Sequence, residues 1–282
     1  MVDYPRMLDR LGRVFDKEVF FITGWTKPGT AWIQRALDAH PDVCCKGEGH
    51  FADGLYPLLG RSMELYNRHA RRGTARRRAA GIEEAANGFT HGELEFILAQ
   101  AIGLSLSRWA GSASVRCIGD KTPEHVMHLD LLARVVPHSR FVHVVRDGRD
   151  EAISVWDFNR RVNPDGFAKQ HPTFESFVDS FAKTWSDSVA KAHAFGRDNP
   201  ERFLEVFSED LQNEPEPVIL DLFRFLRLDE GEKEISLCLE AGAASAPPGE
   251  DPGMWRGRFE DKALAAFRRH AGELLKLLGY DS

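Results

Sequence analysis

Between residues 20 and 32 the chain reads FFITGWTKPGTAW, an apolar run that stops at a glycine, a short turn, and the start of a helical pattern. Strand, glycine-containing turn and helix in that order bring backbone N–H groups and a helix N-terminus to one point, and both favour an anion. Gly29 permits the close backbone approach that a phosphate needs. Lys27 supplies a point charge, and Thr30 offers a hydroxyl in the first helical turn. Trp32 lies close to the loop, where its face could stack on a base; packing in the core is its competing role.

The rest of the chain fits an α/β fold around such a loop. Short β-branched or aromatic runs at Val19–Thr23, Val43–Cys45, Val115–Ile118, Phe141–Val145 and Phe203–Phe207 read as buried strands. Helical patterns fill the intervals: TAWIQRALDAH, PEHVMHLDLLARVV from Pro123, PTFESFVDSFAKTWSDSVAKAHAF, PEPVILDLFRFLRL and DKALAAFRRHAGELLKLLGY. Strands alternating with helices predict a mainly parallel central sheet covered by helices on both faces. No repeat or composition break divides residues 1–282, so a single domain is expected. Arg71–Gly81, Asn159–Pro172 and Ala241–Gly253, rich in Gly, Pro or charge, read as weak spots for order. The six arginines between Arg68 and Arg78 read as a solvated, partly helical surface, with an anion-attracting flap as the alternative.

The loop is not a nucleoside-triphosphatase P-loop, G-x-x-x-x-G-K-[ST]. Gly24 and Gly29 have its spacing, but Thr30 and Ala31 follow where the motif needs lysine and the hydroxyl that holds Mg²⁺. A phosphate-like ligand without a bound metal is the expectation. SRFVHVVRDGRDEAISVW repeats the strand–turn–helix logic. Arg146 stands at the strand end and Ser154 eight residues later in the helix, so a planar fork and a hydroxyl could grip a second phosphate. A capped helix start with Arg–Asp pairs is the plainer reading of RDGRD.

At these positions the chain resembles the sulfotransferases that use 3′-phosphoadenosine 5′-phosphosulfate (PAPS), and in particular their bacterial branch. The family's first signature corresponds to Lys27, Pro28, Gly29, Thr30, Ala31 and Trp32, and its second to Arg146 and Ser154. LDAHPDV with the following GE, GDKTPEHVMHLDLLARVVPHSRFVHVVRDGRD, FSEDLQNEPEPVILDLFRFLRL and GMWRGRF extend the similarity over nearly the whole chain. The resemblance implies a P-loop-like sulfotransferase architecture with PAPS as co-substrate. It implies Lys27 at the phosphosulfate, Gly29 and Thr30 at the 5′-phosphate, Trp32 on adenine, and Arg146 with Ser154 on the 3′-phosphate. Pro28 stands where the family usually has Ser or Ala, Ala31 where a second Thr is common, and Ser208 where a Tyr precedes EDL. The segment that often carries an Arg-Lys-Gly clamp reads PPGEDPGMW, so that clamp is either weakened or supplied elsewhere, by Arg256 or Arg258.

Sulfuryl transfer to a hydroxyl needs a base, and Glu48, His50, Asp120 and His125 are the candidates. Glu48 leads because it follows a short strand, where loops converge on the ligand crevice, and because the resembling branches place a Glu there. Lys121 could contact the transferred group. A P-loop kinase and a non-catalytic nucleotide-binding module are the alternatives. The acceptor is expected to be a small molecule or lipid-like, met by Phe51–Gly81 and Asn159–Pro172. Phe51, Leu55, Tyr56, Leu58, Leu59, Tyr66 and Phe158 would suit an apolar acceptor, but ordinary packing is the simpler role for them.

Composition narrows the remaining classes. A net charge of −6 gives no global case for a nucleic-acid partner. No stretch of about 18 uncharged apolar residues predicts a membrane span. The beginning, MVDYPRMLDRLGRVFDKE, lacks the apolar core of a signal peptide. Cys44, Cys45, Cys117 and Cys238 are too scattered for a disulfide scaffold and read as free thiols of a cytoplasmic protein.

Overall fold

A computed structural model describes residues 3–83, 87–111, 114–244 and 251–280. In chain order, α1 (Tyr4–Phe15), β1 (Glu18–Gly24), α2 (Thr30–Asp38), β2 (Val43–Gly47), α3 (Tyr56–Ala79) and α4 (His91–Ala110) lead to β3 (Cys117–Lys121). Then follow α5 (Leu129–Val135), β4 (Arg140–Val145), α6 (Gly148–Val162), α7 (Pro164–Gln170), α8 (Phe174–Asp198), β5 (Phe203–Phe207), α9 (Ser208–Asn213), α10 (Pro215–Leu226), α11 (Glu232–Ala243) and α12 (Asp261–Leu277). The five strands form one sheet in the order β2-β3-β1-β4-β5, and each neighbouring pair is parallel.

β1 lies at the centre and is apolar along its length because helices cover both its faces. Phe20, Phe21 and Ile22 are fully buried. Phe21 belongs to a core with α4, α5 and α8, whereas Phe20 and Ile22 face α2 and α10. A third core under α6, α8 and α12 is built around Trp156, Trp185 and Phe267. Cys44, Cys45, Cys117 and Cys238 are buried free thiols; burial pushes Cys117 and Cys238 up to about 12.

Several readings of the sequence are corrected. β3 begins two residues later than its apolar run and takes in Gly119 and Asp120. A Cβ on Gly119 would lie 2.3 Å from the Phe20 ring, so the close approach of β1 requires glycine there. Arg71–Gly81 is helical through Ala79, since Ala and Arg are strong helix formers. Asn159–Pro172 holds the end of α6 and all of α7, capped by the Asn163 side chain on Gly166 N. Of Ala241–Gly253, the first three residues extend α11; residues 245–250, with part of PPGEDPGMW, lie outside the described residues. Pro123–His128 forms a 3₁₀ turn before α5, rather than its first turns.

Candidate active site

All five strands point their carboxyl ends to one edge of the sheet, where ligands of open α/β sheets bind. β1 delivers Lys27–Thr30 to that edge, β2 Glu48, β3 Lys121, β4 Arg146 and β5 Ser208. A cavity of about 650 Å³ there is lined by Lys27, Gly29, Thr30, Ala31, Trp32, Glu48, Lys121 and Ser208, and closed by Leu211, Gln212, Leu239 and Ala243 from α9 and α11. A larger cavity of about 860 Å³ lies at the amino ends of β1 and β3. Three of its basic groups are already engaged: Arg13 with Asp9, Arg116 with Asp42, and Lys17 with the Val115 carbonyl.

The first loop is shaped for an anion. Gly29 adopts φ +107° and caps α2, and as a glycine it places no side chain of its own on the helix end. The first N–H groups of a helix have no partner within it. A Cβ on Gly29 would sit 3.0 Å from Ser208 Oγ, so the small serine after β5 and the glycine fit one another. Lys27 is exposed, with φ +63°, and its Nζ rests 4.0 Å from the Phe158 ring centroid. Pro28 does not line the cavity. It is buried against Gly24, where a Cβ would meet the proline ring at 2.6 Å. Trp32 lines the cavity, and its ring presses on α11, within 2.5 Å of where a Cβ of Gly242 would lie, so the packing role the sequence offered it is present.

On the opposite wall Glu48 forms an ion pair with the mostly buried Lys121. His50 Nε2 lies 3.5 Å from Glu48 Oε2, and His50 Nδ1 is 2.7 Å from Asp53 Oδ2. The hydrogen bond to Asp53 raises the His50 pKa against the opposing effect of burial, which favours the cationic ring. Asp120 is fully buried and does not line the cavity. It accepts from Gly49 N at 2.8 Å and from Thr122 Oγ1 at 2.8 Å, and lies 3.2 Å from His125 Nδ1. His125, also fully buried, turns Nε2 to the N–H groups of Phe51 and Ala52 at 3.1 and 3.3 Å. Both residues therefore fix the loop that carries Glu48 and His50. Among the described residues, His50, Asp53 and Glu124 bring ligand-type atoms within 4.8 Å of one another, near enough to share a cation.

Arg146 and Ser154 are not among the residues lining the cavity. Arg146 is buried, and its charge partly offsets the burial that raises the pKa of neighbouring Glu151. The turn itself is a capped start with an Arg–Asp pair: Asp147 accepts from Arg149 N and, through both oxygens, from the Arg149 guanidinium. That guanidinium also stacks 3.7 Å from the Trp255 ring. Asp150 accepts from Gly253 N and Trp255 N at 2.6 and 2.8 Å, tying the C-terminal segment to α6. The sequence reading missed this anchor; a carboxylate in the first turn of α6 was its only signal. Arg256 packs over Trp255 at 4.7 Å, and Arg258 pairs with Asp157 at 3.0 Å; neither lines the cavity. Of the apolar residues weighed for an acceptor, Phe51 is buried, Leu55, Tyr56 and Leu59 pack on the core beside it, and Leu58 and Tyr66 are exposed.

The chain is 27% identical over 213 residues to protein-tyrosine sulfotransferase 1 of Danio rerio, covering 76% of this chain and 54% of that one. It is 28% identical over 166 residues to the omega-hydroxy-beta-dihydromenaquinone-9 sulfotransferase Stf3 of Mycobacterium tuberculosis, covering 57% and 40%. The chain thus spans about half the length of the curated relatives it matches. Mouse sulfotransferase SULT7A1, solved in complex with PAP, shares the fold with a TM-score of 0.54 at 15% identity, over 94% of this chain and 89% of that one. No helix among the described residues is long and apolar enough to cross a membrane. The model of the Sulfotransferase family matches residues 20–232, which takes in the first loop, Glu48, Lys121, Arg146 and Ser208, and the chain belongs to that family.

Proposed function

We propose that the chain moves a sulfuryl group from PAPS to a hydroxyl of a small-molecule or lipid-like acceptor. One observation carries this reading: Lys27, the open end of α2 and the Glu48–Lys121 pair line a single cavity of about 650 Å³, a size suited to a nucleotide-scale ligand. The names of the relatives support it, since one acts on a protein tyrosine and the other on the hydroxyl of a menaquinone. The PAP complex of a protein with the same fold supports the donor.

PAPS, when bound, supplies the sulfuryl group. The N–H groups of Gly29, Thr30 and Ala31 hold its 5′-phosphate, and Lys27 stabilises the charge that gathers on the leaving oxygen. A cation aimed at the place where charge develops is suited to that task. Trp32 offers the edge that lines the cavity to the base. Arg146, just after β4, and Ser154, within α6, take the 3′-phosphate beyond the lined cavity, with Arg256 or Arg258 as the reserve. Glu48 accepts the proton of the acceptor hydroxyl. It precedes His50 as base because Asp53 biases His50 towards its protonated form, and a protonated ring has no lone pair to offer. Asp120 holds the loop in place. The test is labelled-donor transfer with a panel of phenols and long-chain alcohols. A sulfated product that requires Lys27 and Glu48 is expected; a product phosphorylated from ATP would overturn the reading.

A further inference from the structure

The arginine run that the sequence presents as a solvated surface belongs to α3, which carries seven arginines and one acid, Glu64, on a chain whose net charge is −6. Leu58, Arg61, Leu65, Arg68, Arg72 and Arg76 follow one another by three or four residues, so they share one face of the helix. That face is exposed throughout, with Leu58 and Leu65 at 60% and 59% accessible. The other side faces the protein: Leu59 packs on the core, Ala70 is buried, and Gly60 approaches Leu94 of α4. Among the described residues, the one ion pair made by these arginines is Arg68 with Glu64, at 4.0 Å. The helix therefore presents a cationic stripe with two exposed leucines within it.

We infer that this face of α3 docks on an anionic lipid bilayer. Clusters of four to eight arginines on an amphipathic helix bind anionic headgroups, each near the surface contributing about 1 kcal/mol, and apolar side chains between them enter the headgroup boundary. The leucines decide between acidic partners: a nucleic-acid backbone would meet the arginines and leave Leu58 and Leu65 in water, whereas a bilayer buries them. The position of the helix gives the contact a use. α3 follows directly from the loop of Glu48 and His50 through the turn Phe51–Leu55. A lipid-like acceptor leaving the bilayer at this face reaches the proposed base next. That use rests on the acceptor reading above; the docking itself does not.

The experiment is sedimentation of the chain with large vesicles of phosphatidylcholine, alone or with phosphatidylglycerol. Binding to the phosphatidylglycerol vesicles and not to the neutral ones is expected, weakening as salt rises. The combined variant Arg68→Ala, Arg72→Ala and Arg76→Ala should bind roughly a hundredfold more weakly. Leu58→Ser with Leu65→Ser should also lose binding, while both variants keep the parent affinity for adenosine 3′,5′-bisphosphate. Equal sedimentation with both vesicle types, or wild-type binding by either variant, overturns the inference. So does RNA binding that survives the leucine changes. Loss of bisphosphate binding by the parent chain would instead overturn the proposed function, so the two failures are distinct.

Discussion

The Nζ of Lys27 rests 4.0 Å from the centroid of the Phe158 ring. The lysine that distinguishes this loop from a nucleoside-triphosphate loop thus leans on α6, at the mouth of the cavity it lines. A cation over an exposed aromatic face gains about 0.5–1 kcal/mol, enough to favour one position and little enough to release it to a stronger anion. Lys27→Ala should lower transfer by roughly 10²–10³-fold, the usual cost of removing one transition-state donor. Phe158→Leu should change it only a few-fold. A Phe158 variant as impaired as Lys27→Ala would make the ring, not the lysine, the decisive group.

Glu48→Gln should leave bisphosphate affinity unchanged and slow turnover by about 10²–10⁴-fold. Calorimetry and initial rates on the same preparation separate the two. Full turnover in this variant would transfer the role of base to His50.

The His50–Asp53 pair makes a prediction about pH. Asp53 raises the His50 pKa, so Asp53→Asn should return it towards the ordinary histidine range, as followed by NMR titration of the ring. Because the folded value is the raised one, the pair stabilises the loop at low pH and ceases to do so as pH rises through the His50 pKa. An unchanged titration in the variant would show that the 2.7 Å contact does not persist in solution.

Glu205 supplies a second pH dependence, remote from the cavity. Burial works to raise its carboxyl, but hydrogen bonds from His143 at 2.9 Å and His193 at 3.0 Å bring it down to about 2. A lowered folded value means stability that is present above the ordinary glutamate range and lost as pH falls towards about 2. His193, raised by the same contact, contributes below the ordinary histidine range and loses that share as pH rises through its pKa. Glu205→Gln should cost roughly 2 kcal/mol near neutral pH and flatten the acid limb of thermal melts recorded between pH 3 and pH 7; an unaltered acid limb would contradict this.

The central fold was legible because buried parallel strands read as continuous apolar runs, and Val19–Thr23 fell within β1 for that reason. Glu48, directly after β2, and Lys27, three residues after β1, were legible as candidates for the same reason. What stayed hidden depends on contacts between distant segments. Gly119 and Asp120 look unlike strand residues until the Phe20 ring and the Gly49 N–H are beside them. Gln212, Leu239 and Ala243 reach the cavity only because α9 and α11 fold over it. Pro28 looked like a defect in a phosphate loop; packed into the space left by Gly24, it braces the turn from outside the cavity.

The proposed function requires that this loop take a phosphoadenosine ligand and not a nucleoside triphosphate with its metal. Titration calorimetry of the chain with adenosine 3′,5′-bisphosphate in EDTA, and with ATP in Mg²⁺, tests it most directly. Bisphosphate binding without metal is expected, weakened at least tenfold in Lys27→Ala and again in Arg146→Ala, with far weaker binding of ATP. Binding of ATP that depends on Mg²⁺, with none of the bisphosphate, would contradict it.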